Sequence, residues 1–183
     1  MSEDGARHGR RGAVLRIGVA TLAAPALLSA CSPAALATPA FDSMASALKT
    51  LEALKRSAPR MSGAWDLAQV LHHAAQSVEY SLQGFPSPKP AWFRATVGPA
   101  AFSVFSARGR MSHALDEPIP GAPAIARGQP LEPAVDRAVA ALQAFEAHAG
   151  PFAPHFAYGA LDKPSYARAH LMHLANHWQE AVA

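Results

Sequence analysis

Cysteine is almost absent from this chain: Cys31 is the only one among 183 residues. A single thiol cannot form an intramolecular disulfide, a thiolate zinc site or a CxxC redox pair. These three kinds of cysteine chemistry are therefore excluded within one chain. The position of Cys31 near the N-terminus suggests a different use for its thiol.

Beyond the first thirty residues, the chain also lacks a strong excess of positive or negative charge. The formal net charge is +3, but four of the sixteen Lys and Arg residues and two of the thirteen acidic residues lie within the first thirty positions. The remainder has a net charge of +1 and no stripe of Lys and Arg, so we expect no nucleic-acid partner. Phosphate-binding loops, HExxH, GxSxG and EF-hand motifs are absent too, and the enzyme classes that use them find no support.

The longest apolar run, residues 17–30, is shorter than the roughly 20 residues that span a bilayer. Arg7, Arg10 and Arg11 precede it, and a basic flank before a short apolar run is typical of a signal peptide. The Arg10-Arg11 pair also loosely resembles a twin-arginine signal, although the usual aromatic residue is missing. We therefore predict that residues 1–30 are a signal peptide and that the protein is exported to a bacterial periplasm.

The end of this run offers two processing sites. Residues 28–31 read Leu-Ser-Ala-Cys and resemble a bacterial lipobox, whose cysteine receives a diacylglycerol. This interpretation is favoured and predicts a membrane anchor on Cys31, followed by a linker over residues 31–40. The alternative is an A-x-A site at residues 35–37, where cleavage before Thr38 would release a soluble periplasmic product.

Four segments carry apolar residues at helical spacing. Each of the last three has a helix start or stop signal in Pro or Gly, and Asp42 and Asp162 are candidate caps. No strand pattern of comparable strength appears. A proline-rich stretch over residues 84–133 is too apolar for a disordered linker, which predicts an ordered, partly helical crossover. The sequence thus predicts an all-α domain over residues 41–183, a four-helix bundle with a long crossover between the second and third helices. The predicted helices are residues 42–56, 65–83, 132–148 and 164–182.

The last predicted helix carries three histidines on one face. His170, His173 and His177 stand at i, i+3 and i+7, which confines them to an arc of roughly 60°. His173 and His177 can direct ring nitrogens at one metal ion, with a third ligand from another helix. His72 and His73 are the candidates, and His73 lies nearer the apolar stripe. The spacing alone also fits hydrogen-bonded core histidines, so it leaves both interpretations open.

Several motifs occur in order across residues 41–183 and together resemble a known family. The chain resembles the domain of unknown function 1569 family, within the DinB-like bundle superfamily. The resemblance rests on the stretch from Trp65 to His73, then residues 84–86, 118–123 and 154–159, and the run from His170 to His177.

The resemblance implies a metal site and its ligands. Carried over by motif, the ligands are His73 from the second helix and His173 and His177 from the last. Three neutral imidazoles suit a divalent metal, with zinc, nickel and iron all open, and leave a coordination position free for Lewis-acid chemistry.

Four further residues are candidates for the second shell or the pocket. His170 and Tyr166 share the histidine face, and Glu146 lies on an otherwise apolar stripe of the third helix. His155 precedes the last helix in a stretch that usually reads His-Pro in the family, whereas Phe156 follows it here. Each of them has a structural interpretation as well.

Two functions are consistent with these features. The first is a metal-dependent transferase that activates a thiol, or a hydrolase that activates water, which suits an exported protein better because small thiols are chiefly cytoplasmic. The second is a non-catalytic envelope lipoprotein that binds a small ligand or a protein partner. Expected partners are the membrane, through Cys31, and an unidentified small molecule, and a homodimer stays open.

Overall fold

A computed structural model of the chain describes residues 33–182. The predicted signal peptide, the Arg10-Arg11 pair and Cys31 lie outside these residues. The structure is all-α, as predicted, and its one sheet consists of two strands of two residues each. The helices are α1 (Met44–Ala53), α2 (Leu67–Gln83), α3 (Ala91–Ala95), α4 (Val97–Arg108), α5 (Leu131–Ala147) and α6 (Lys163–His177), and the strands are β1 (Arg60–Met61) and β2 (Ala181–Val182).

Four helices share one hydrophobic core. α2 packs along α5, α1 contacts α5 and α6, and α2 also contacts α6. Burying one large aliphatic or aromatic side chain contributes about 1.5–3 kcal/mol, so this shared core is the main source of stability. Its fully buried side chains include Leu51, Leu71, Val135, Leu142 and Phe145.

Side-chain caps mark where three of these helices begin, α2 among them, whose cap is Asp66. α1 begins after Ser43, whose hydroxyl accepts a hydrogen bond from the Ser46 amide at 3.1 Å. The expectation that Asp42 caps this helix is therefore wrong, because Asp42 ends a short 3-10 turn one residue earlier. α6 begins after Asp162, whose carboxylate accepts from the Ser165 amide at 2.9 Å, as predicted.

The last helix is shorter than predicted. It ends at His177 instead of continuing to Val182, and a 3-10 turn (Trp178–Glu180) leads into β2. β2 pairs with β1 in antiparallel fashion, and the Ser62 amide donates to the Glu180 carbonyl at 2.8 Å. Pairing with β1 satisfies backbone groups that a longer helix would have satisfied internally. A two-residue strand is too short to show an alternating pattern in the sequence.

The crossover between α2 and α5 is partly helical, as predicted, since it contains α3 and α4. Two amide side chains of α2 fasten its irregular part: Gln69 Nε2 donates to the Ile125 carbonyl at 3.0 Å and Gln76 Nε2 to the Pro123 carbonyl at 3.3 Å. The crossover is thereby held against α2. No helix within residues 33–182 combines the length and the apolar character needed to cross a membrane.

Candidate metal centre

Three histidine side chains converge at one point between α2 and α6. The Nε2 atom of His173 lies 3.0 Å from Nε2 of His73 and 3.1 Å from Nε2 of His177. One ligand atom from each of the three residues lies within 4.8 Å of the others. The structure thus brings together the three residues that the sequence indicated, two from one helix face and one from the facing helix.

This geometry fits a divalent metal ion. A tetrahedral ion with Zn–N bonds of about 2.0–2.1 Å separates its ligand nitrogens by about 3.3 Å. The observed distances of 3.0 and 3.1 Å are close to that value. Three nitrogen lone pairs directed at one point repel one another unless a proton or a cation lies between them. Imidazole nitrogens suit zinc, nickel and iron alike.

The protonation state of the cluster also suits metal binding. Burial lowers the pKa of His73 to about 4 and that of His177 to about 3, with a smaller contribution from neighbouring histidines. Burial lowers the pKa of His173 well below its usual value as well. The three rings are therefore neutral at neutral pH, which is the form that binds metal.

Packing against Trp65 fixes two of these rings. The indole lies parallel to the His177 ring, with centroids 6.1 Å apart, and meets the His73 ring edge-on at 5.0 Å. Within the part of the chain that the structure describes, the buried Nδ1 atoms of His73 and His177 have no hydrogen-bond partner. On the Nδ1 side, aromatic contact therefore takes the place of hydrogen bonds in orienting the two rings.

A fourth histidine, His113, reaches this cluster from the crossover. Its ring centroid lies 5.0 Å from that of His173 and 5.3 Å from that of His177. Its Nδ1 atom lies 2.7 Å from the Ala114 carbonyl oxygen, to which it donates, so Nε2 keeps its lone pair. Burial of the ring lowers the pKa of His113. The sequence gives His113 no recognisable role, because an irregular crossover has no periodicity that relates it to a helix face.

A cavity of about 290 Å³ adjoins the cluster. His73 and His173 form one part of its wall, and the exposed side chains of Lys89 and Glu117 bring one positive and one negative charge to it. The cavity therefore connects the histidine cluster to a space that a small molecule can occupy. Its remaining polar and apolar lining includes His113, His155, His170, Met111, Ile119, Phe156 and Tyr158.

Comparison with known proteins assigns the chain to a family. The family model described as "Protein of unknown function (DUF1569)" matches residues 35–183. The chain belongs to the DUF1569 family. No curated protein and no solved structure matches it.

The remaining candidate pocket residues of this DUF1569 protein divide into two groups. His170 and His155 line the cavity. Tyr166 is fully buried beneath it, where its hydroxyl donates to the Ala153 carbonyl at 2.5 Å and its ring stacks on His170. Glu146 is exposed on α5 and does not line the cavity. Tyr166 and Glu146 are thus not part of the lining of this cavity.

The structure also distinguishes His73 from its neighbour. His72 lies beside an ion pair in which Arg137 of α5 makes two hydrogen bonds to the carboxylate of Glu79, at 2.7 and 2.8 Å. Its Nδ1 atom is 3.4 Å from the Arg137 guanidinium. His72 therefore faces α5, while His73 faces α6 and the other histidines.

Proposed function

We propose that this DUF1569 protein binds a divalent metal ion through His73, His173 and His177 and uses it in Lewis-acid catalysis on a small molecule. The observation that carries the proposal is the convergence of three Nε2 atoms, at 3.0 and 3.1 Å, beside a cavity. The same observation supports our further proposal that the fold is a DinB-like four-helix bundle, because the three ligands come from two facing helices that share one core.

The residues around the ion would supply the rest of the chemistry. A divalent ion held by His73, His173 and His177 would lower the pKa of water or of a thiol and so supply a nucleophile at neutral pH. The His113 ring lies beside the cluster, and its unprotonated Nε2 can accept a proton from a reacting group. Met111 and Ile119 are buried in the cavity wall and exclude water.

We further propose that the protein is exported and anchored to the membrane through a lipid on Cys31. Low-molecular-weight thiols are chiefly cytoplasmic, so an exported protein meets few of them. Hydrolysis, with water as the nucleophile, is therefore the version of the reaction that we favour over thiol transfer.

A second candidate function is non-catalytic binding of a small ligand by an envelope lipoprotein. It is favoured by the shortage of carboxylates: among the described residues that line the cavity, Glu117 is the only one, and it is exposed. A measured metal content with no hydrolytic activity on any ester or amide tested would favour this function.

Metal analysis of the mature protein, purified from its native compartment, tests the proposal directly. We expect close to one zinc, nickel or iron ion per chain in the wild type. His73→Ala, His173→Ala and His177→Ala should each lose the metal, because removing a ligand costs more than the 10–100-fold in affinity that outer-shell partners typically contribute.

His72→Ala is the matched control, because it removes the adjacent histidine of α2 without touching the cluster, and it should retain the metal. A wild-type protein that carries no metal near stoichiometry and does not retain added zinc would contradict the proposed function. Equal metal content in His72→Ala and His73→Ala would contradict the proposed ligand set.

A further inference from the structure

The hydrogen bonds of His155 fix where its ring carries a proton. Its Nδ1 atom accepts from the backbone amides of Ala157 and Tyr158, each at 3.1 Å. A ring nitrogen that accepts hydrogen bonds has its lone pair in the ring plane and carries no proton. The single proton of the neutral imidazole is therefore on Nε2, and His155 has a donor at the edge opposite Nδ1.

A tight turn holds this ring in place. The His155 amide donates to the Gly159 carbonyl at 2.7 Å, and the Gly159 amide donates back at 3.2 Å. Gly159 has φ +78°, a conformation that favours glycine, and a Cβ there would overlap the carbonyl oxygen of Arg94. The His155 ring stacks on Tyr158 with centroids 4.3 Å apart, and Phe85 lies 5.1 Å away. The donor is thus fixed before any ligand arrives.

His155 is part of the cavity wall. His155 is 7% exposed and lines the same cavity as His73 and His173. Nε2 makes no hydrogen bond within residues 33–182 and is not among the fully buried unpartnered atoms there, so it is accessible to a ligand. Burial lowers the pKa of His155 to about 3, with a smaller effect from His170, so the ring stays neutral at ordinary pH. A neutral donor selects for an acceptor atom rather than for a negative charge.

His170 adds no charge to this end of the cavity. Ser81 donates its hydroxyl proton to the Val78 carbonyl at 2.6 Å, so its oxygen must accept from Nε2–H of His170, 3.3 Å away. Burial lowers the pKa of His170 to about 3, which also keeps this ring neutral. Ile119 and Phe156 contribute apolar surface to the same cavity, beside the charges of Lys89 and Glu117.

We propose that His155 is a substrate-binding residue whose Nε2–H donates a hydrogen bond to a carbonyl oxygen of a small, largely apolar molecule held beside the metal centre. This inference rests on the proposed function and adds the chemical class of its substrate. The cavity volume of about 290 Å³ lies at the lower limit of the range for ligand sites, about 300–1,000 Å³. A compact ester, amide or ketone fits both the size and the donor.

Two probes of the same shape test this selectivity. Acetophenone carries a carbonyl oxygen, and α-methylstyrene has a CH₂ group in its place. NMR titration of the mature, zinc-loaded wild type should show tighter binding of acetophenone, by about three- to tenfold, the typical net effect of one neutral hydrogen bond. Nitrogen NMR of the His155 ring should show the proton on Nε2.

Two variants at one position separate the donor from the turn. His155→Asn can keep the acceptor for the Ala157 and Tyr158 amides but has no donor at the Nε2 position, so it should bind both probes equally. His155→Gln can place an amide N–H near the Nε2 position and should retain a preference for acetophenone. The backbone amide spectrum of each variant shows whether it is folded.

Each remaining outcome overturns the proposal. These outcomes are equal binding of the two probes by the wild type, an unchanged preference in a folded His155→Asn, binding of neither probe, or a proton on Nδ1. Metal content is measured in the same samples, so the two proposals can fail separately. A wild type without zinc refutes the metal proposal, while the two probes still test the donor in the metal-free protein.

Discussion

At the scale of single residues, the histidine cluster is unusual in how its rings are oriented. Metal-binding histidines commonly donate their second ring N–H to a carboxylate or a carbonyl. Here the Nδ1 atoms of His73 and His177 are buried without such a partner in the described part of the chain, and Trp65 packs against both rings. The indole therefore replaces the usual hydrogen bonds as the group that keeps the two rings aligned.

Replacing Trp65 should weaken metal binding. We expect Trp65→Ala to lower zinc affinity by about tenfold, because outer-shell partners of metal ligands typically contribute 10–100-fold. Trp65→Phe keeps an aromatic face and should lose less. Competition with a chromogenic chelator measures the affinity, and Trp92→Ala, which removes an indole that is 65% exposed, is the control. Wild-type affinity in a folded Trp65→Ala would show that the ligand rings do not depend on this contact.

The sequence predicted part of the site at this scale. The spacing of His173 and His177 placed them on one helix face, and the helical wheel together with the family resemblance selected His73 over His72. His113 could not be predicted in this way, because an irregular crossover brings it to the cluster. The role of Trp65 was not predicted either: the sequence placed Trp65 within the second helix, whereas it lies two residues before α2.

At the scale of elements, a hydrogen bond joins the start of α2 to the crossover. One oxygen of Asp66 accepts from the Gln69 amide and the other from the Gly128 amide, both at 2.8 Å. The Asp66 amide in turn donates to Oε1 of the Gln69 side chain at 3.1 Å, which completes a capping box. The helix that carries His73 and the segment that follows His113 are thereby joined by one carboxylate.

Asp66 should therefore contribute more to stability than an ordinary cap. We expect Asp66→Ala to lower the free energy of unfolding by about 2–3 kcal/mol, because it removes a cap and a second hydrogen bond to a charged group. Asp162→Ala, at the start of α6, removes one capping hydrogen bond and should cost about 1 kcal/mol. Urea unfolding measures both values, and equal losses would contradict the bridging role of Asp66.

Element positions were predictable where periodicity was long, and less so elsewhere. The predicted 65–83 and 132–148 segments match α2 and α5 to within two residues because each has five turns with one apolar face. The end of α6 was missed because pairing with β1, more than a hundred residues away in sequence, determines where the helix stops. Pairing between residues so far apart leaves no signal in the local sequence around the helix end.

At the scale of the whole molecule, residues before the first helix are part of the folded domain. The Arg168 guanidinium donates to the carbonyls of Ala34 at 2.5 Å and Ser106 at 2.6 Å, so it joins the N-terminal segment to α4 and α6. The Ala37 amide donates to the Gly109 carbonyl at 3.1 Å, and Leu36 packs against the core. The family match begins at residue 35 as well. Cleavage before Thr38 would remove these contacts, which favours the proposed processing at Cys31 over this alternative.

The two processing sites predict proteins of different stability and different modification. A chain of residues 31–183 with Cys31→Ser should be more stable to urea than one of residues 38–183, by about 1–3 kcal/mol, because the shorter chain loses two hydrogen bonds and the packing of Leu36. In cells, labelled fatty acid should enter the wild type and not Cys31→Ser. Equal labelling of both would refute the anchor, and a mature N-terminus at Thr38 would show that the folded domain does not need the segment. Since Arg168 keeps its Ser106 acceptor in either chain, a stability difference reports on the N-terminal segment itself.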